Sequence, residues 1–103
     1  MSKRVYDELF EPEDIEFKLA TIYNQNEMLN QSIVNLITAN QNLNCAKQYL
    51  HYYEHNTIIR TYDQLMYSNV KLINAYEHLI KLNKGVIEKY EKQLDIHNKQ
   101  IKN

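Results

Sequence analysis

Residues 51–55 read His51-Tyr52-Tyr53-Glu54-His55. Two histidines four positions apart lie one helical turn from each other, so on a helix both imidazoles leave the same face, at a spacing that suits a divalent metal. A glutamate between them would serve as base toward a metal-bound water, and the chemistry would be metal-assisted hydrolysis. Other catalytic constellations are absent: the chain has no glycine-rich phosphate loop, no paired cysteines and no serine nucleophile elbow.

The pattern H-x-x-E-H resembles the zinc signature of the inverted zinc peptidases. That resemblance implies zinc held by His51 and His55 with Glu54 as base, completed by a more distant acidic ligand inside a much larger domain. It covers these five residues and nothing else in the chain. The motif also falls where the chain is predicted to turn, and His and Glu at a turn are ordinary solvated residues. The expectation is therefore no catalytic residue, no cofactor and no small-molecule substrate, with His51, Glu54 and His55 as the candidates for a structural or adventitious metal.

The elements that would have to position this segment are two heptad arrays. Downstream, Ile59, Met66, Ile73, Ile80, Ile87, Leu94 and Ile101 recur every seven residues, and Tyr62, Asn69, Tyr76, Asn83, Tyr90 and His97 follow each of the first six by three. In blocks of fourteen the stretch reads IRTYDQLMYSNVKL, INAYEHLIKLNKGV, IEKYEKQLDIHNKQ. A repeat of two heptads is a coiled-coil signature. Upstream, Ile15, Ile22, Leu29, Leu36, Leu43 and Leu50 take the d positions, with Leu19, Asn26, Ile33, Asn40 and Lys47 at a. Pro12 suits a first helical position, and Glu11, Glu13 and Asp14 place negative charge at the positive end of the helix dipole.

The step from Leu50 to Ile59 decides the topology. Nine residues rotate an ideal helix by about 900°, half a turn out of phase, so an uninterrupted helix would carry its two stripes on opposite sides. A reversal near His55, Asn56 and Thr57 lets the stripes face each other, with Asn56 or Thr57 able to cap the second helix. The sequence thus predicts an all-α antiparallel helical hairpin: a tail or docking peptide over 1–11, helix 12–53, turn 54–57 and helix 58–102. Gly85 follows KLNK as a possible C-terminal cap. Because Ile80, Ile87 and Leu94 keep phase across it, it reads as a tolerated helical glycine.

In the hairpin register that sets Ile22 against Ile87, Leu29 against Ile80, Leu36 against Ile73 and Leu43 against Met66, Asn26 meets Asn83 and Asn40 meets Asn69. Slipping by one heptad would strand each amide against Tyr or an aliphatic residue, at about 1–3 kcal/mol for an unsatisfied buried group. The asparagine layers are accordingly expected to fix register. An antiparallel homodimer of straight helices would satisfy the same pairings.

Ile58, Leu65, Leu72, Leu79 and Val86 at g widen the second stripe beyond a two-stranded seam, and Tyr23 and Ile37 widen the first on its e side. These flanks call for a further partner, either a second hairpin in a four-helix bundle or another coiled-coil protein. The expected interface residues are the apolar d series of the first helix, the apolar a series of the second, and Tyr62, Tyr76 and Tyr90.

Composition narrows the class. One Gly and one Pro in 103 residues leave no turns for a sheet-rich fold, and a net charge of −1 indicates no general polyanion partner. Lys81, Lys84, Lys89, Lys92, Lys99 and Lys102 make the C-terminal helix basic, but Glu88, Glu91 and Asp95 interleave with them. A nucleic-acid-associated protein using that helix is the alternative reading. Cys45 is alone, at an outward f position, which suits a reducing compartment. With neither a signal-peptide core nor a membrane-length apolar run, the expected location is cytoplasmic or nuclear. The functional expectation is a non-catalytic, self-associating assembly or adaptor subunit of a viral or cytoskeletal structure.

Overall fold

The computed structural model describes residues 12–52 and 56–102. They form two helices, α1 (Pro12–Tyr52) and α2 (Asn56–Lys102), packed against each other as a hairpin. The expected tail over residues 1–11 and the first half of the expected turn, residues 54 and 55, lie outside the described residues. Glu13 and Asp14 sit in the first turn of α1, where backbone N–H groups have no helical partner and the dipole favours negative charge.

Among the described residues α2 runs from Asn56, so Asn56 and Thr57 already lie in the helix. α2 also continues through Gly85 without the possible break. A Cβ built there would meet nothing within 4 Å, so neither a close contact nor a turn demands glycine at this position.

The chain divides into two compact units. In the first, residues 12–27 of α1 pack antiparallel to residues 80–102 of α2. Its core is Ile15, Leu19 and Ile87, with Ile22, Tyr90 and Leu94 packed against them. Ile15 is the most enclosed side chain, at 1% exposure. Burying each such aliphatic side chain contributes about 1.5–3 kcal/mol. Ile80 and Asn26 are also buried here.

The second unit, residues 28–79, pairs the rest of α1 with the rest of α2. Ile59 is buried; Leu29, Leu36, Leu43 and Leu50 of α1 and Met66 and Ile73 of α2 are half-buried. Half-burial is what a two-stranded seam provides, since each side chain touches one neighbouring helix and keeps one flank in water.

Candidate functional site

A polar group in an apolar seam must find its partner within the seam. In the first unit Asn83 Nδ2 donates to Asn26 Oδ1 at 2.8 Å. In the second unit Asn69 Nδ2 donates to Asn40 Oδ1 at 2.8 Å, and Asn40 Nδ2 donates onward to the Met66 backbone carbonyl at 3.3 Å. All four asparagines are drawn from a and d positions and all are buried or half-buried. Because the partners belong to one chain, these contacts exclude a continuous straight helix.

The side chains expected at the seam are withdrawn from solvent within a single hairpin. Ile15, Ile59, Ile80 and Ile87 are buried; Ile22, Leu29, Leu36, Leu43, Leu50, Met66, Ile73, Leu94, Tyr62, Tyr76 and Tyr90 are half-buried. Charge lines the edges. Lys47, at an a position, reaches Asp63 at 2.7 Å, and Lys18 lies 5.8 Å from the centroid of the Tyr90 ring. Tyr23 donates its hydroxyl to Glu91 at 3.4 Å. Its phenol is pushed above the ordinary tyrosine value by desolvation and then by the negative charge and hydrogen bond of Glu91.

The flanking positions behave differently. Ile58, Leu65, Leu72, Leu79 and Val86, one residue before each a position of α2, are all exposed, with Leu65 at 47% and Leu72 at 43%. Tyr23 and Ile37 on α1 are exposed too. The sequence reading missed part of this surface. Leu82 and Ile96 are exposed at c positions of α2, three residues after g, and the three-then-four spacing relative to the g series is the signal that would have found them. The g series turns polar at Gln93, whose Oε1 is buried with no hydrogen-bond partner.

Glu54 and His55 of the candidate metal motif, and the side chain of His51, lie outside the described residues. Among the described residues no three His, Cys, Asp or Glu side chains are gathered as metal ligands, and no helix is long and apolar enough to cross a membrane. Cys45 is a free, exposed thiol. Lys81, Lys84, Lys89, Lys92 and Lys99 are exposed along α2, and Lys99 pairs with Asp95 at 3.1 Å. An open groove on the side of Ile37 and Val70 has Asn40, Met66 and Ile73 in its lining. No protein-family model, no curated protein and no solved structure matches the chain.

Proposed function

We propose that this protein is a non-catalytic coiled-coil assembly or adaptor subunit, working by self-association of its helical hairpin into a four-helix bundle. The observation that carries the reading is the exposed series Ile58, Leu65, Leu72, Leu79 and Val86. The hairpin uses its a and d residues internally and leaves a second apolar row, at the same seven-residue period, facing water. Isolated exposed apolar residues are ordinary, but a row of five in one phase is what a further helix packs against. In the assembly the hairpin is the folding unit and the outer row is the joining surface, which gives a subunit that builds or bridges without performing a reaction. A role within a viral or cytoskeletal structure belongs to the same proposal.

Sedimentation equilibrium, or light scattering on eluting protein, tests it. Self-association predicts a mass at least twice the 12.4 kDa of the chain at micromolar concentration. A single 12.4 kDa species at every concentration would overturn the proposal.

A further inference from the structure

Resting on the self-association just proposed, we infer the joining surface and its symmetry: α2 of one hairpin packs antiparallel on α2 of a second copy, through Leu65, Leu72 and Leu79 set against Thr61, Ser68 and Ala75. All six residues belong to the 28–79 unit and all are exposed. The leucines hold g positions, and the small residues hold c positions four before or three after them, so the two rows make one stripe on the side of α2 turned from the α1 seam.

The choice of a second copy follows from the stripe's own shape. In antiparallel packing a g residue meets a c residue, just as a meets d in the hairpin. With a two-fold axis crossing this stripe at the level of residue 70, Leu65 falls opposite the second copy's position 75, Leu72 opposite its position 68 and Leu79 opposite its position 61. Every leucine then projects over a small residue, and the surface is complementary to itself, as an isologous interface must be. Parallel packing would stack leucine on leucine and small on small, alternating crowded layers with voids that interiors at crystal-like density do not tolerate.

Charge singles out this side of the hairpin. Between residues 28 and 79 no c or g position of either helix carries a charge, and α1 contributes the small, half-buried Ser32, Ala39 and Ala46. The opposite side holds Arg60, Asp63 and Glu77, with Lys47 bonded to Asp63. Lys71 is the cation nearest the inferred axis, and its ammonium is turned over the Tyr67 ring, 4.7 Å from the centroid. Area suffices as well. The helices of this unit run roughly 36 Å at 1.5 Å per residue. Two axes 8–10 Å apart make a side about 20 Å wide, hence a footprint of about 700 Å². Stable interfaces of standard size bury about 600–1,000 Å² per partner, and the footprint lies within that range.

The test uses full-length protein in which Cys45→Ser removes the native thiol. Leu65→Gln, Leu72→Gln and Leu79→Gln together should weaken self-association roughly a hundredfold or more while leaving helical circular dichroism unchanged, because these side chains are exposed in the hairpin and Gln is a good helix former. Orientation is read by nitroxide distances between copies labelled at Lys71→Cys or Arg60→Cys. The antiparallel arrangement predicts a separation below about 25 Å at position 71. At position 60 it predicts more than about 30 Å, since the two labels are displaced along the axis. If the unsubstituted protein is monomeric, self-association itself fails. If it associates but the triple variant associates equally well, or both label positions give the same short distance, self-association stands and this surface is overturned.

Discussion

Asn83 on α2 donates its amide hydrogen to the side-chain carbonyl of Asn26 on α1 at 2.8 Å, in a unit whose other enclosed side chains are isoleucines and a leucine. A second asparagine pair, Asn40 with Asn69 at 2.8 Å, stands fourteen residues away along each helix. All four amides are satisfied together in one register only, since a slip of one heptad breaks both pairs and a slip of two keeps at most one.

The asymmetry between losing one partner and losing both gives the first prediction. Asn83→Leu alone strands the Asn26 amide and is expected to destabilise the hairpin by about 1–3 kcal/mol. The double variant Asn26→Leu, Asn83→Leu is expected to recover that loss, because a paired apolar replacement leaves nothing unsatisfied. Urea denaturation of the four proteins closes a double-mutant cycle with a coupling of about 0.5–3 kcal/mol. A coupling near zero would show that the bond contributes nothing.

Heptad position separates two isoleucines of α2, one at a seam a position and one at an outer c position. Ile87, in the core with Ile15 and Leu19, is 6% exposed, whereas Ile96 is 57% exposed. Ile87→Ala is expected to cost about 2–5 kcal/mol. Ile96→Ala should stay within about 0.5 kcal/mol, as surface substitutions do. Equal losses in chemical denaturation would mean that Ile96 is covered in solution.

Gly85 lies inside α2 with open space where a side chain would go. Gly85→Ala removes backbone freedom from the unfolded chain and is expected to stabilise by about 0.5–1 kcal/mol. For a chain of this length that raises the melting temperature by a few degrees. A lower melting temperature would show that the glycine accommodates a contact absent from the isolated hairpin.

Gln93 follows the five apolar g residues of α2 and holds a buried acceptor without a donor. Gln93→Leu removes that desolvated oxygen, for an expected gain of about 1 kcal/mol in chemical denaturation. Gln93→Glu would place a charge at the same point and should destabilise the hairpin. If the leucine variant is the less stable of the two, the amide has a partner in solution.

The hairpin was legible in the sequence because two periodic arrays stood half a turn out of phase, and only a reversal lets Leu50 and Ile59 serve one seam. The asparagine pairings were legible for the same reason, since fixing Ile22 opposite Ile87 leaves Asn26 nowhere else to go. The second bond of Asn40, to the Met66 carbonyl, was not, because it depends on a side-chain rotamer and a backbone group that carry no sequence signal. Where each helix ends was the less legible part, because heptads report packing and carry no signal for local capping. Leu82 and Ile96 escaped notice because the stronger a and d periodicity masked the weaker c and g stripe on the same helix.

The fold-back itself is tested most directly by one distance. Exposed Glu27 and Lys81 are each replaced by cysteine in a Cys45→Ser background, labelled with nitroxides, and diluted into unlabelled protein so that only pairs within one chain are read. Helix axes 8–10 Å apart predict a separation under about 30 Å. A separation near 80 Å, the span of the intervening residues as continuous helix at 1.5 Å each, would contradict the account.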